Sequence, residues 1–339
     1  MSSPRSAPHD AWRAAEQVLR RLPVGAPVQL ACHVNPDGDA LGSMLGFGLG
    51  LCRLGHRPRA SFPEPFEVPA TLAALPGMDL LVPPRQAHPA PEVFVSFDAA
   101  SPQRLGTLGA SMAAAGCSIV LDHHASNPGF GDLPLVDPAA AATAVVALRL
   151  LDRLGVPVDA AVAECLYVGL ATDTGSFSFA ATTAEVHRIA ARLVEAGARP
   201  GEVSRRVQAS RPFGALGLYG EVLRRAVLEP AAAGGLGLVW SHATLADLAA
   251  HDQRPYVLEG LIDEVRRTDA ADVACVAKQV GPDLWSVSLR SRGALDVAAV
   301  ATALGGGGHR TAAGYPATGT LARVLDGLRG ALDDAAQPG

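Results

Sequence analysis

Four segments in the first part of the chain end on carboxylates or imidazoles, and this arrangement constrains the fold more than any other feature. Pro27 to Cys32 is a short apolar run that opens into His33-Val34-Asn35-Pro36-Asp37-Gly38-Asp39-Ala40-Leu41-Gly42-Ser43. Val93 to Phe97 is another, and it stops at Asp98. Cys117 to Leu121 leads into Asp122-His123-His124, and a helical stretch at 159–171 leads into Thr172-Asp173-Thr174-Gly175. Further apolar runs lie at Arg59 to Phe62, which is weak, and at Leu133 to Val136. Helical spacing is seen at 11–22, Ala40 to Leu54, 143–154 and 183–197. Buried strands separated by helices predict an α/β fold whose mostly parallel sheet has helices on both faces. Ligands of such sheets sit beyond the carboxyl ends of the strands, so the polar residues at those ends should converge on one site.

At 339 residues the chain is too long for one ordinary core, and two domains are expected. The first spans 11–196. A stretch rich in Gly, Pro and Arg at 197–217 reads as a partly helical linker. A second, smaller α/β domain covers 218–332. In it, Val222 to Leu228 and Leu236 to Trp240 read as strands, and Leu258 to Arg266 as a helix opening on Glu259. Val273 to Gln279 and Leu284 to Arg290 have the alternation of a hairpin turned by Gly281-Pro282-Asp283. Asp296 should cap a helix to Leu304, which runs into Gly305-Gly306-Gly307-Gly308-His309.

A net charge of −5 gives no global basic field for long duplex nucleic acid, though a local site for a short anion remains open. The five cysteines have no C-x-x-C spacing and read as small buried hydrophobes of a reducing, cytoplasmic setting. Neither a secretion signal nor an apolar stretch long enough for a membrane span is expected.

Carboxylates with imidazole suit hard to borderline divalent ions such as Mn²⁺, Fe²⁺ or Zn²⁺. The H-x-x-x-D-x-D spacing offers one imidazole and two carboxylates from one loop, and Gly38 permits a tight turn between Asp37 and Asp39. Taken singly, Asp37-Gly38 reads as a surface turn, Asp39 as a helix cap, Asp98 as a loop start and Asp173-Thr174-Gly175 as a turn. That all of them should fall at the ends of successive elements favours a metal site.

With these motifs the chain resembles the DHH/DHHA1 phosphoesterase family, closest to its NrnA-like branch of short-RNA and pApA phosphodiesterases. The likeness runs in order over about residues 25–330. In the second domain it is carried by Ser288-Leu289-Arg290-Ser291-Arg292 and by the glycine run with His309-Arg310-Thr311-Ala312-Ala313-Gly314. The resemblance implies two Mn²⁺ ions, with Mg²⁺ or Co²⁺ as substitutes. One would be held by His33, Asp37 and Asp98, the other by Asp39, Asp98, His123 and Asp173, with Asp98 as the bridge. Asp122 would orient His123 or the nearby backbone, and His124 would meet the substrate phosphate. Arg290, His309, Gly307, Gly308 and, more weakly, Ser291 would hold the substrate in the cleft between the domains. Many relatives carry Ser-Thr-x-Glu where this chain has Ala142-Thr143-Ala144-Val145, so an acid that supports the site is missing here.

The activity implied is hydrolysis of very short oligonucleotides or dinucleotides (nanoRNA, pApA) to 5′-mononucleotides. Rivals within the class are a phosphatase for 3′-phosphoadenosine 5′-phosphate and a cyclic di-AMP phosphodiesterase. A RecJ-like exonuclease on long single-stranded DNA is disfavoured by the lack of basic excess and of interleaved aromatics. The reading of a different class is a nucleotide sensor without activity, which would be free to lose ligands that this chain keeps. A homodimer is compatible with the resemblance.

Overall fold

The computed structural model describes residues 9–207 and 211–336, and the chain divides into two compact units at 210/211. The first unit holds a five-stranded sheet of β1 (Val28–Cys32), β2 (Arg59–Ser61), β3 (Val93–Phe97), β4 (Cys117–Asp122) and β5 (Leu133–Val136). All pairings are parallel, in the order β2-β1-β3-β4-β5. β1 and β3 are buried along their whole length, as strands covered on both faces must be. The direction of winding reverses between β1 and β3, and a crevice opens there at the carboxyl ends.

The helices of this unit are α1 (His9–Arg21), α2 (Gly38–Arg53), α3 (Leu108–Ala113), α4 (Thr143–Leu154), α5 (Ala160–Asp173), α6 (Ala184–Glu195) and α7 (Pro200–Val207). One core joins α1, α2, α4 and α5 to one sheet face, through residues such as Leu19, Leu45, Leu151 and Leu166. A smaller core under α3 covers the other face with Phe94, Leu105 and Leu108.

Close contact between α2 and α5 depends on glycine. A Cβ at Gly42 would lie 2.4 Å from the carbonyl oxygen of Cys165, and one at Gly169 would lie 2.7 Å from an oxygen of Asp39. These absences of side chain bring the start of α2 against the end of α5, and so Asp39 toward Asp173.

The second unit contains α8 (Phe213–Arg224), β6 (Val227–Glu229), β7 (Leu238–Ala243), α9 (Leu245–Ala250), α10 (Leu261–Val265), β8 (Val273–Gly281) and β9 (Leu284–Ser291). It continues with α11 (Val297–Ala303), β10 (Gly307–His309), β11 (Ala312–Thr318) and α12 (Leu321–Ala336). Its sheet runs β10-β11-β9-β8-β7-β6 and is antiparallel except for β7 with β8. Trp285, Val287 and Leu289 face a core with α11 and α12, whereas Val239, Ala274 and Val276 face α8, α9 and α10.

Two local expectations are corrected. The expected strand from Val222 is helix as far as Arg224, because Ala215, Leu218, Tyr219 and Val222 form a buried stripe at helical spacing. The expected helix Leu258 to Arg266 is a 3-10 turn, Pro255–Leu258, followed after Gly260 by the short α10. Within the glycine run, Gly307–His309 pairs with Ala312–Gly314 as an edge hairpin. Asp296 caps α11 as expected, accepting from the amides of Ala298 and Ala299. Among the described residues no helix is long and apolar enough to cross a membrane.

Candidate metal centre

The candidate ligands of the first unit come from five different places in the chain and meet at the carboxyl end of its sheet. His33 follows β1, Asp98 follows β3, and His123 and His124 follow β4. Asp37 and Asp39 stand at the start of α2, and Asp173 ends α5. One ligand atom from each of His33, Asp37 and Asp98 lies within 4.8 Å of the other two, and the same holds for Asp39, His123 and Asp173. Asp98 links the two groups. Its Oδ2 is 3.4 Å from His33 Nε2 and its Oδ1 is 3.6 Å from His123 Nε2. His123 Nε2 also lies 3.0 Å from Asp173 and 3.9 Å from Asp39.

The supporting contacts aim these groups. His33 Nδ1 donates to the carbonyl of Val34 at 2.8 Å, and His123 Nδ1 to that of Ala140 at 3.2 Å. Both rings therefore turn Nε2 inward, in the tautomer that leaves it able to ligate. Asp37, not Asp39, is the N-cap of α2: one of its oxygens accepts from the amides of Asp39 and Ala40. The other points toward His33 at 3.9 Å. Asp98 has φ of +55°, a left-handed conformation that costs a non-glycine residue energy. Its amide is tied to the Leu121 carbonyl at 3.0 Å, which fixes the turn beside β4.

Asp122 is fully buried and does not hold the His123 ring. One of its oxygens accepts from the His123 amide at 2.8 Å and from His124 Nδ1 at 2.7 Å, so the ring that it orients is that of His124. Its other oxygen accepts from the side chain of Asn127.

Sequence reading passed over Thr143 and Asn127. Thr143 begins α4, and its hydroxyl donates to Asp98 Oδ1 at 2.8 Å. The amides of Thr143 and Ala144 donate to the two oxygens of Asp39 at 2.6 and 2.9 Å, so the positive end of α4 faces that carboxylate. Val145, where the resemblance led to an acid being expected, is buried in the core. A polar residue opening a helix just past Asp137-Pro138 was the available signal for Thr143. Asn127 offered none, since its role depends on a turn that folds back.

Electrostatics give this cluster its meaning. Burial pushes the Asp39 carboxyl well above the usual range, and Asp173 and Asp98 push it the same way. Burial also raises Asp173, against the pull of His123. Asp98 is the exception. Burial opposes its ionisation, but the hydrogen bond from His33 and the His124 and His123 imidazoles hold it well below the usual range. Burial likewise opposes charge on His123, yet Asp173, Asp98 and Asp39 raise it well above its ordinary value. Without a cation, then, the cluster must take up protons to relieve crowded buried charge. Carboxylate oxygens and imidazole Nε2 atoms held in this way are the donor set that a divalent transition ion prefers, and the residues fit such an ion.

In the second unit, Arg290 lies on β9 with its guanidinium Nε 3.7 Å from Asp263 and Nη1 donating to the carbonyl of Leu289. His309 ends β10. Through the register His309↔Ala312↔Arg290 it shares a sheet face with Arg290. Ser291 is committed elsewhere: its hydroxyl donates to the Leu295 carbonyl at 2.7 Å and accepts from the Gly293 amide, so it shapes the turn after β9. The glycines have a packing reason of their own. A Cβ on Gly306 would meet the Gly314 carbonyl at 2.1 Å, and Gly308 has φ of +143° with the Ala312 carbonyl 2.6 Å from its Cβ position.

Fold, site and sequence together define a phosphoesterase: the chain belongs to the DHH family. Residues 27–170 match the DHH family, N-terminal domain, and residues 243–337 match the DHHA1 domain. The chain is 37% identical over 331 residues to the bifunctional oligoribonuclease and PAP phosphatase NrnA of Thermus thermophilus, covering 95% of each chain. In fold it is similar to an exopolyphosphatase-related protein from Bacteroides fragilis, with TM-score 0.83, 22% identity and 97% of each chain covered. It is also similar to exonuclease RecJ bound to manganese, with TM-score 0.51, 17% identity and coverage of 99% of this chain and 96% of that one.

Proposed function

We propose that this protein hydrolyses phosphodiester bonds in very short oligonucleotides and dinucleotides such as pApA, releasing 5′-mononucleotides, with two divalent ions, Mn²⁺ by preference. The observation that carries the reading is the convergence of His33, Asp37, Asp39, His123 and Asp173 on Asp98 at the sheet's switch point. The oligoribonuclease activity of the Thermus relative supports the substrate class. His33, Asp37 and Asp98 would hold one ion, and Asp39, Asp98, His123 and Asp173 the other. Bound there, two such ions supply Lewis acidity for activating water and for neutralising phosphoryl charge.

The remaining work falls to the chain's own residues. Asp122 fixes His124 through Nδ1, and burial and Asp122 compete over its charge, with Asp122 and Asp98 raising it overall. We assign to His124 Nε2 the hydrogen bond to a phosphoryl oxygen. The reaction adds water's oxygen to phosphorus, breaks the bond to the 3′-oxygen of the leaving nucleoside and returns a proton to that oxygen. Arg290 and His309 are assigned the grip on the distal part of the substrate, through a planar guanidinium fork and a neighbouring imidazole. A second reading, removal of the 3′-phosphate from 3′-phosphoadenosine 5′-phosphate, is favoured by the bifunctional name of the same relative.

The test is Asp98→Asn. It should abolish tight Mn²⁺ binding by calorimetry and lower turnover of pApA at least about a thousandfold, on the order of 4 kcal/mol. Wild-type turnover by this variant would overturn the reading.

A further inference from the structure

Beyond Arg290 and His309, the same face of the second sheet carries a charged pair that the proposed function leaves without a task. Lys278 is the sole lysine of the chain. It sits on β8 with its side chain 6% exposed, and its ammonium bonds both oxygens of Glu259 at 2.8 and 2.7 Å. Glu259 itself is 70% exposed and lies between the Pro255–Leu258 turn and α10.

The strand registers place this pair. Lys278 pairs across with Ser286 and Pro316, and Val276 with Ser288 and Gly314. Ala274 pairs with Arg290 and Ala312, and Ala312 with His309. Residues paired across antiparallel strands project on one face, as do residues two apart along a strand. One face therefore carries Arg290, Ser288 and Ser286 in a row on β9, with His309 beside one end of it and Lys278 beside the other. The other face carries Trp285, Val287 and Leu289 and is core; on the first face Ala274 and Val276 of β8 are also buried, against α8 and α10, so its accessible part lies on β9 and β11. The two ends are four residues apart, about 13 Å. That is the reach of one nucleotide from its phosphate to its pairing edge, once the side chains are added. On β9 and β11 the residues between them are small, Ser288 and Gly314 with Ala312 beside Arg290, and leave room for a nucleotide to lie along those two strands.

A carboxylate fixed in this way has particular chemistry. One ammonium takes one lone pair of each oxygen and leaves an acceptor on each, side by side and turned to solvent. The pair is close to neutral, so it does not repel an anionic substrate as a bare glutamate would. Two parallel acceptors match two parallel donors. Guanine presents them in N1–H and the N2 amino group. Adenine offers one donor beside the N1 acceptor, which a carboxylate repels, and cytosine one donor beside N3.

We propose that the Lys278–Glu259 pair is a base-reading subsite that selects guanine in the nucleotide whose phosphate Arg290 and His309 hold. This deepens the proposed function and rests on its assignment of the second unit to substrate holding.

The experiment uses the full chain with Mn²⁺. It compares kcat/KM on pGpG and pApA, and equilibrium binding of 5′-GMP and 5′-AMP, for wild type, E259Q and K278M. Wild type should favour the guanine ligand about tenfold in both assays, the discrimination of one bidentate contact. E259Q, a substitution at an exposed position, should bring both ratios close to one, and K278M should lower them by unfixing the carboxylate. Cleavage of both dinucleotides without guanine preference in wild type, or a preference that persists in E259Q, overturns the subsite and leaves the phosphodiesterase reading standing. A GMP preference that E259Q abolishes, in a protein that cleaves neither dinucleotide, supports the subsite and overturns the phosphodiesterase reading.

Discussion

Thr143→Val isolates one hydrogen bond at the centre of the site. The hydroxyl of Thr143 donates to Asp98 Oδ1 at 2.8 Å inside a buried cluster, and valine keeps its shape while removing the donor. The backbone amide that Thr143 gives to Asp39 is untouched, so the start of α4 should persist. A hydrogen bond to a charged group contributes about 1.5–3 kcal/mol, and the bereft oxygen of Asp98 would face a methyl group with no water to replace the loss. This predicts a fall in Mn²⁺ affinity and in kcat/KM of roughly 10- to 100-fold, the range for groups that support metal ligands. Thr143→Ser retains the donor and should stay within a few-fold of wild type. Calorimetric Mn²⁺ titration and pApA hydrolysis read both variants. Equal affinity and turnover in Thr143→Val and wild type would show that the hydroxyl only fills space and would refute the reasoning.

Two further outcomes follow from the packing and the charges. Gly42→Ala places a methyl group 2.4 Å from the Cys165 carbonyl, so α2 and α5 must part. The expected cost is about 1–3 kcal/mol in urea unfolding, with weaker Mn²⁺ binding because Asp39 and Asp173 ride on those helices. In the second unit, burial would raise the Asp247 carboxyl, but Arg225 and the amide and hydroxyl of Thr244 draw it down to about 2. A carboxyl lowered by folding stabilises the protein fully above its ordinary value, about 3.9, and the benefit is lost as pH falls from there toward 2. Asp247→Asn should therefore destabilise the unit at neutral pH and flatten that acid limb of its stability profile. An unchanged slope between pH 4 and 2 would contradict the assignment.

Much of the catalytic unit was legible in the chain because its signals are local. A buried parallel strand is a short apolar run, and the residue after it faces the ligand side whatever the rest does. That is why His33, Asp98, Asp122 and His123 could be picked out before their contacts were known, with Asp173 marked instead by the end of a helical stretch. The second unit was harder where local signals misled. A partly helical linker was read at 197–217, and the chain divides within that stretch at 210/211, but the helix that begins there at Phe213 runs on to Arg224 where a strand was expected. The glycine run was read for substrate contact alone, although Gly306 and Gly308 are also required by the close packing of the hairpin with Ala312–Gly314.

The sequence by itself determined which residues can ligate and the order in which the strands present them, since both follow from residue type and period. Only the tertiary structure decided which partner each residue takes. The carbonyls of Val34 and Ala140 choose the tautomers of His33 and His123. Asp122 takes the ring of His124 rather than that of its neighbour. Thr143, to which the sequence assigned no role, reaches Asp98 from 45 residues away. A hydrogen bond depends on ångström distances that separate elements reach only by packing, and the α2–α5 contact that sets them rests on missing side chains whose effect no linear pattern displays.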